Sequence, residues 1–351
     1  MTGIKKVAAR AGVSIATVSN VINGTRNVSE PLRQRVLTAI NELGYQADPL
    51  ASHMKKKHTR TIGLITTRIT SLFYPYVIDG INQVIETAGY DLVLHDTRDD
   101  PEREISCIRR LVQSRVSGII LDTSHDKNDE TYFLNLSGLS HRGYHTPVVG
   151  LELDLSHYGL DSVFVDGTEG GCLATGHLIS CGCSRIAHIT GPLHSSLTKD
   201  RLLGYRRALA QSGMTFDEAL VTAGDFSQLS GYRATGRLLA QDIAFDGIFA
   251  ANDQMAAGAC HALRERSLKI PEDIRLVGYD NTFVASVVRP SISTIDVPKT
   301  EMGRQAAACL IDRIEGSATD AMPRAVRLPA SLVIRETTRR DADPDWALFD
   351  W

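Results

Sequence analysis

The chain has 351 residues, more than one small hydrophobic core requires, and this length predicts two or three domains. Hydrophobic residues make up 43% and charged residues 23%, as in ordinary globular proteins, and no run of about 18 apolar residues is present to span a membrane. The net charge is −3, but residues 1–60 hold ten Lys and Arg against three Asp and Glu, a charge of +7, so the remainder carries −10. A basic segment attached to an acidic body indicates binding to a polyanion.

The first residues and the cysteines indicate the compartment. Lys5, Lys6 and Arg10 lie near the N-terminus without the apolar stretch of a signal peptide, so we expect a cytoplasmic protein. The six cysteines form no CxxC pair, and the spacing in Cys181-Gly182-Cys183 suits neither a zinc site nor an ordinary disulfide. We therefore expect reduced thiols and neither a metal centre nor another cofactor.

Three short helical patterns occupy the first 45 residues. The first is amphipathic and stops at Gly12, and Ser14 is a good N-cap for the second, which runs towards Asn23. Ser29 begins the third, which ends before Gly44. Two short helices joined by a glycine turn and braced by a third predict a helix-turn-helix.

The second of these helices has a polar outer face. A recognition helix enters the major groove by its N-terminus, so Ile15, Ala16 and Asn20 are the candidate base readers. An Asn amide matches adenine, and apolar side chains contact a thymine methyl. Short polar side chains suited to phosphates follow the same face: Ser14, Thr17, Ser19 and Asn23. The alternative is an ordinary helical hairpin with a polar surface.

A short basic linker follows the head. Residues 48–54 begin with Asp48 and Pro49, an N-cap followed by the first helical position, but seven residues are too few for a stable isolated helix. Three consecutive lysines begin at Lys55. A plain basic linker remains an equally acceptable interpretation.

From Thr61 onward, apolar strand-like runs alternate with amphipathic helical stretches. This alternation predicts βαβ units, and so many strands predict two parallel sheets, hence two lobes and a cleft. The predicted strands are Ile62–Ile65, Asp91–His95, Gly118–Leu121, Pro147–Leu151, Val163–Val165, Arg185–Ile189, Gly247–Ala250 and Leu276–Tyr279. The expected domains are a helix-turn-helix at 1–46, a hinge and linker at 47–60, the two-lobed α/β domain at 61–340 and a tail at 341–351.

Polar and aromatic side chains follow several of these strands, where open α/β sheets bind ligands. An Arg, an amide and a carboxylate together grip vicinal hydroxyls, and aromatic rings stack on an apolar ligand face. The candidates are Arg201, Asn252, Asp280 and, less strongly, Glu152, with Phe73, Tyr74 and Phe226 as aromatics. As alternatives, Asp253 and Asp280 could cap helices, and Phe226 could belong to the core.

The segment 4–24, which reads IKKVAARAGVSIATVSNVING, resembles the head of the lactose-repressor family. The resemblance continues through Val28-Ser29-Glu30, Ile40–Tyr45 and Thr59–Leu64 to Leu332–Thr337, and so covers nearly the whole chain. It implies an all-α head followed by a two-lobed effector domain similar to periplasmic sugar-binding proteins. The implied function is a transcription regulator, more often a repressor, controlled allosterically by a small ligand. Its implied partners are a near-palindromic double-stranded operator and a second copy, with a tetramer possible.

The resemblance also assigns roles to particular residues. Residues 48–54 would be the hinge helix, with Met54 as the minor-groove wedge, Leu50 beside it and Lys55 next to the DNA backbone. Ser195 and Leu197 would lie in the loop that varies most with the ligand. Nucleobase-binding relatives carry Arg and Thr there, so a sugar or sugar derivative is the expected effector rather than a purine.

Several positions depart from the family pattern. Lys6 replaces the usual Asp and adds to the basic charge, and Gly167 replaces the usual Asn. Asn20 stands where Arg is frequent, so we expect adenine where an Arg-bearing relative favours guanine. The usual Pro-Asn of the hinge is Ala47-Asp48 here, with the proline displaced to Pro49.

Two other classes of protein fit the sequence less well. An enzyme is disfavoured because GxGxxG, GxxxxGK[ST], GxSxG and HExxH are all missing, and His141 with His145 is a weak metal pair better explained as a solvated helix end. A transport binding protein would share the cleft but would need a signal peptide and no basic head.

Overall fold

The computed structural model describes residues 3–23, 26–45, 59–141, 143–241, 243–316 and 322–342, apart from the side chain of Asn23. The chain divides into two compact units, Met1–Thr59 and Arg60–Trp351.

The N-terminal unit contains the three predicted helices. They are α1 (Ile4–Ala11), α2 (Ile15–Asn23) and α3 (Glu30–Glu42). Their apolar faces meet in a small core of Val7, Ala8, Ala11, Val18, Val36 and Ala39.

The turn between α1 and α2 depends on Gly12. Its φ of +63° lies in the left-handed region, and a Cβ there would lie 2.6 Å from Nη2 of Arg35. That same Nη2 donates to the carbonyl oxygen of Ala11 at 2.5 Å, so α3 holds the turn in place. Ser14 caps α2 as predicted, since its Oγ accepts from Thr17 N at 3.1 Å, whereas Ser29 precedes α3 without a side-chain cap bond.

Two six-stranded sheets and a small hairpin form the second unit. The first sheet contains β1 (Thr61–Thr66), β2 (Asp91–Asp96), β3 (Gly118–Leu121), β6 (Val148–Leu151), β7 (Asp161–Val165) and β13 (Ala325–Leu328). The second contains β8 (Ile186–Thr190), β9 (Val221–Ala223), β10 (Gly247–Ala250), β11 (Arg275–Asp280), β12 (Ser293–Asp296) and β14 (Ser331–Val333). The hairpin pairs β4 (Ser140–His141) with β5 (Tyr144–His145).

The strand orders are β13-β7-β6-β3-β1-β2 and β14-β12-β11-β10-β8-β9. All pairs in the two sheets are parallel except β12 with β14. The helices of this unit are α4 (Tyr74–Ile85), α5 (Pro101–Gln113), α6 (Glu130–Ser137), α7 (Gly167–Ser180), α8 (Ser196–Gln211), α9 (Gln228–Ala240), α10 (Asp253–Glu265), α11 (Phe283–Val287) and α12 (Lys299–Ile314).

Each sheet forms the centre of one lobe. The chain crosses between the lobes three times, after β7, after β12 and between β13 and β14. Parallel strands direct their carboxyl ends to one edge of each sheet, which places the residues after β1, β3, β6, β8, β10 and β11 at the cleft.

Three helix pairs approach closely through reciprocal glycines. In α4 and α12, a Cβ on Gly80 would lie 2.0 Å from the Thr300 carbonyl oxygen, and one on Gly303 would lie 2.0 Å from that of Val77. The same relation holds for α7 with α8 and for α9 with α10, through Gly171 with Gly204 and Gly231 with Gly258. Each pair therefore packs backbone against backbone.

The two-lobed α/β fold with parallel sheets is confirmed, and all eight predicted strands are present. The strands that the sequence did not predict are the short β9, β12, β13 and β14 and the hairpin. The interpretation of His141 and His145 as a solvated helix end is wrong, because both lie in the hairpin strands. The side-chain spacing of four residues suits a helix turn, but Gly143 with φ of +80° turns the backbone between two short strands.

Helix α7 offers a matched test of the glycine packing. We expect Gly171→Ala to lower the free energy of unfolding by about 1–3 kcal/mol, because its Cβ would lie 2.4 Å from the Arg201 carbonyl oxygen. Gly176→Ala, on the same helix and with open space around the new Cβ, should raise it by up to about 1 kcal/mol. Urea unfolding followed by circular dichroism measures both, and effects of the same sign would contradict the packing argument.

Candidate functional site

A cavity of about 660 Å³, measured to its open mouth, lies between the two lobes of the second unit. All nine side chains predicted from the sequence line it: Phe73, Tyr74, Glu152, Ser195, Leu197, Arg201, Phe226, Asn252 and Asp280. Leu197, expected in a loop, lies in the first turn of α8.

Arg201 is the centre of the cavity. It is buried on α8, and its Nη1 donates to the carbonyl oxygen of Ala251 at 2.5 Å. Its Nη2 lies 3.5 Å from Oδ1 of Asp280 in its own lobe and 3.9 Å from Oε1 of Glu152 in the other. The guanidinium also lies over the ring of Tyr279, 3.9 Å from the ring centroid, so it is held from several sides.

Two buried carboxyl groups, those of Asp280 and Glu152, face this guanidinium, and a third, that of Asp122, interacts with Glu152. Burial raises the pKa of Glu152, and the nearby Asp122 raises it further, while Arg201 opposes both effects. Burial also raises the pKa of Asp280, although Arg201 lowers it, and raises that of Asp122 to about 6. Lys299 also lowers the pKa of Asp280, so the three carboxyl groups lie near two buried cations, Arg201 and Lys299.

Asp122 was missed by the sequence analysis, and it is tightly anchored. Its Oδ2 accepts from the backbone N–H of Thr67 at 3.3 Å, from the Thr67 hydroxyl at 2.7 Å and from the hydroxyl of Tyr74. The Tyr74 hydroxyl is thus committed to the lobe itself, and its ring lies edge-on to Phe73 with centroids 5.6 Å apart.

The other lining residues that sequence reasoning missed are Thr67, Arg68, Ser71, Asp99, Thr123 and Ser124. Asp122, Thr123 and Ser124 directly follow the predicted strand Gly118–Leu121, so the strand-end criterion that selected Asn252 could have found them. The carboxylate of Glu104 accepts from the hydroxyls of Thr123 at 2.6 Å and Ser124 at 2.7 Å, and so fixes their direction.

Asn252 has a structural role as well as a place in the cavity wall. Its Oδ1 accepts from Met255 N at 2.9 Å and caps α10, and its Nδ2 donates to the carbonyl oxygen of Phe226 at 3.0 Å. The cap of this helix is therefore Asn252 and not Asp253, the residue considered from the sequence. The carboxylate of Asp253 instead accepts from the hydroxyls of Thr282 and Thr294.

Left-handed backbone conformations cluster at the cavity. Glu152, Phe226 and Asp280 have φ values of +64°, +65° and +96°, which non-glycine residues seldom adopt. Such strain persists only where the surroundings enforce it, and it concentrates at ligand sites.

Several polar contacts join the lobes around the mouth of the cavity. The ammonium of Lys127 in the first lobe lies 2.5 Å from Oδ1 of Asp200 in the second. A second ion pair has the charges reversed, with Lys199 of the second lobe paired to Asp126 of the first. Nε2 of His194 lies 3.2 Å from Oδ2 of Asp99. The lobes are therefore closed on each other.

The N-terminal unit presents α2 as its candidate DNA-reading element. Ser14, Ile15 and Ala16 are exposed at its start, Ile15 to 43%, and Thr17, Ser19 and Asn20 are half-buried. Asn23 is its last residue. The hinge candidates Leu50, Met54 and Lys55 lie outside the described residues.

Comparisons with known proteins cover both units. Residues 3–48 match the family model of bacterial regulatory proteins, lacI family, and residues 175–338 match that of the periplasmic binding protein-like domain. The HTH-type transcriptional repressor PurR of Vibrio campbellii is 34% identical over 97% of this chain and 99% of its own length. The chain belongs to the lacI family of bacterial regulatory proteins.

Other relatives in the lacI family agree with this assignment. The ribose operon repressor of Escherichia coli is 37% identical over 90% of this chain and 93% of its own length. The lac repressor dimer bound to operator and the anti-inducer ONPF has a TM-score of 0.84 at 29% identity, covering 96% of this chain and 99% of that one. The transcriptional regulator CelR in complex with cellobiose has a TM-score of 0.71 at 33% identity, covering 96% and 100%.

As a member of the lacI family, the chain is a DNA-binding transcriptional regulator with a helix-turn-helix head and a ligand-binding effector domain. The predicted family, fold and regulatory function are confirmed. Within the described ranges, no helix is long and apolar enough to cross a membrane. In the same part of the chain, no group of three or more His, Cys, Asp or Glu side chains could hold a metal ion.

The raised pKa of Asp122 gives a pH-dependent prediction. A folded-state pKa of about 6 exceeds that of an unfolded Asp, about 3.9, so the charged carboxylate destabilises the folded protein above pH 6 and the penalty disappears below pH 4. We expect Asp122→Asn to raise the free energy of unfolding by about 2–3 kcal/mol at pH 8 and to change it little at pH 4. The amide oxygen keeps the acceptor that Thr67 and Tyr74 use.

Asp161→Asn is the control of opposite sign. Burial alone would raise the pKa of Asp161, but hydrogen bonds from Arg313 and Arg324 hold it below its ordinary value. Asp161→Asn should lower the free energy of unfolding above about pH 4, and this decrease should become smaller in more acid solution. Urea unfolding across pH 3–8 compares the two variants, and a parallel pH dependence would refute the charge assignment.

Proposed function

We propose that this regulator is a repressor that acts as a homodimer on a near-palindromic operator in the cytoplasm, has no enzymatic activity, and takes a carbohydrate as its effector. The observation that carries the effector part is the buried Arg201 between Asp280 and Glu152, at the carboxyl ends of strands from both lobes. The similarity to a lac repressor dimer bound to operator supports the dimeric, DNA-bound state.

The polar groups of the cavity suit vicinal hydroxyls. A hydroxyl both donates and accepts, so adjacent hydroxyls can bridge a guanidinium and a carboxylate such as Arg201 and Asp280. Phe73 and Phe226 provide apolar walls for the ring face of a sugar. The CelR complex with cellobiose supports a carbohydrate in this kind of domain.

For the DNA part, we propose that the exposed start of α2 reads bases through Ile15, Ala16 and Asn20. The polar side chains of Ser14, Thr17, Ser19 and Asn23 would contact phosphates, which position the head without reading sequence. Leu50, Met54 and Lys55 remain the proposed minor-groove contacts of a hinge.

The proposed base readout is tested by one substitution. Asn20 should favour adenine at one operator position, and Asn20→Arg should shift that preference to guanine, a discrimination of about 1–3 kcal/mol per base pair. Binding selections on random duplexes measure the change. Asn41→Arg, which adds the same charge on exposed α3, is the matched control and should leave base preference as it was. An unaltered preference in Asn20→Arg would remove Asn20 from the base readers.

Regulation would follow from lobe closure. A ligand that contacts Glu152 in one lobe and Arg201 in the other binds the closed arrangement more tightly than an open one, and so shifts the population towards closure. Coupling between two such sites is typically about 1–3 kcal/mol, or 5–150-fold in affinity.

The effector proposal is tested with the full chain and a labelled operator. In a panel of ribose, glucose, lactose, cellobiose, hypoxanthine and guanine, we expect a sugar to change operator affinity by about 5–150-fold. Arg201→Lys should abolish that response yet keep basal operator binding, because an ammonium cannot make the same set of contacts. Arg185→Lys, at the exposed pair with Asp217, is the matched control. A response to a purine and to no sugar would contradict the carbohydrate assignment.

A further inference from the structure

The charges that line the cavity are predominantly negative. Four carboxyl side chains line it and two guanidinium groups do so: Asp99, Asp122, Glu152 and Asp280 against Arg68 and Arg201. This imbalance matters because charges act strongly on each other across a narrow, poorly solvated space.

Both terminal nitrogens of the Arg201 guanidinium already contact other groups of the protein. One terminal nitrogen donates to the Ala251 carbonyl oxygen, and the other faces both Asp280 and Glu152. Within the described part of the chain, Nε makes no hydrogen bond, and Oδ1 of Asp280 accepts none, so Nη2 is held by ion-pair contacts rather than by hydrogen bonds. A phosphate that gripped the Nε and Nη2 edge of the guanidinium would have to displace the contacts of Nη2 with Asp280 and Glu152.

Arg68 lies at the rim and is offset by acids. It is half-buried, and its positive charge acts on the carboxyl groups of both Asp99 and Asp225, lowering the pKa of each against the effect of burial. Asp99 is in turn paired with His194. The rim therefore does not supply a net positive charge to a ligand.

The carboxyl groups of Asp122 and Glu152 have oxygens that can accept further hydrogen bonds. All three hydrogen bonds to Asp122 fall on Oδ2, and no hydrogen bond to its Oδ1 is formed by the described residues. The carboxylate of Glu152 likewise accepts no hydrogen bond within the described ranges and has only the 3.9 Å contact with Arg201. Hydroxyl groups donate to such oxygens, whereas a phosphate or carboxylate brings only further acceptors.

We propose that the effector is a polyhydroxylated molecule that carries no negative charge, so that the cavity binds free sugars and rejects their phosphate esters. This inference rests on the proposed carbohydrate effector and specifies its chemical class. The buried Oδ1 of Asp280, which accepts no hydrogen bond within the described residues, and the open oxygens of Asp122 and Glu152 each take a hydroxyl donor from a neutral sugar, whereas an anion would lie against these same acceptor oxygens. The amino end of α8 at Ser195 favours an anion weakly, and that partial charge is smaller than the charges of the surrounding carboxylates.

The experiment compares sugars with their phosphate esters on the full chain at constant ionic strength and pH 7.5. The pairs are ribose with ribose 5-phosphate, glucose with glucose 6-phosphate, and fructose with fructose 1-phosphate, measured by calorimetry. In the pair that binds, we expect the ester to bind at least about 100-fold more weakly, which corresponds to about 2.8 kcal/mol.

Two pocket variants separate charge from shape. Asp122→Asn and Glu152→Gln each remove an ionisable carboxyl group and keep nearly the same volume, so at least one of them should narrow the gap between sugar and ester about tenfold, which is about 1.4 kcal/mol. Glu130→Gln, at an exposed position on α6 of the same lobe, removes the same charge away from the cavity and should leave the gap unchanged.

The outcomes distinguish this inference from the proposed function. An ester that binds as tightly as its sugar, or a gap that neither pocket variant narrows, overturns the charge selection while the carbohydrate effector stands. A panel in which neither member of any pair binds overturns the carbohydrate effector and this inference with it.

Discussion

The buried guanidinium of Arg201 is the constraint on which the effector domain depends. A charge taken out of water must be paired and hydrogen-bonded, or the folded state is strongly destabilised. Arg201 obtains its partners from Ala251 and Asp280 in one lobe and from Glu152 in the other. The closed arrangement of the lobes and the geometry of the cavity therefore depend on each other. If the lobes separate, the Glu152 carboxyl group moves away from the Arg201 guanidinium.

The backbone around Arg201 is held from outside the cavity. Asp280 and Asn281 both have positive φ, and their carbonyl oxygens accept from the ammonium of Lys299. Lys299 also donates to the Val297 carbonyl oxygen at 3.1 Å, in one of the three connections between the lobes. Because Lys299 begins α12 of the first lobe, the strained strand end that presents Asp280 is joined directly to a hinge segment. Burial lowers the pKa of Lys299, and the carboxyl groups of Asp296 and Asp280 oppose this effect.

Sequence patterns predicted the elements with strong periodicity and the residues that follow obvious strands. The head helices, the eight apolar strands and seven of the nine cavity residues came from those two signals, whereas Ser195 and Leu197 came from the resemblance to the lactose-repressor family. The edge strands β13 and β14 escaped because they are four and three residues long, and a strand paired on one side needs no continuous apolar run. β12 pairs on both sides but is also only four residues long, and Ile295 is its one apolar side chain. Asp122 escaped because the polar stretch after Leu121 reads as an ordinary loop, and its partners Thr67 and Tyr74 come from distant parts of the chain. That the Asn252 side chain caps α10 could not be predicted, because its direction depends on packing with residues distant in the sequence.

Ion pairs at the mouth of the cavity and carboxyl groups inside it have opposite effects on the closure of the lobes. Exposed ion pairs such as Lys127 with Asp200 contribute about 0–1 kcal/mol each, so the contacts around the mouth hold the lobes together only weakly. Against them stands the repulsion among Asp122, Glu152 and Asp280, whose pKa values are all raised by burial in the closed protein. This repulsion opposes closure, and protonation of one of these carboxyl groups relieves it in part. In the proposed regulation, a ligand that donates hydrogen bonds to the same oxygens would relieve this repulsion without a proton and so stabilise closure.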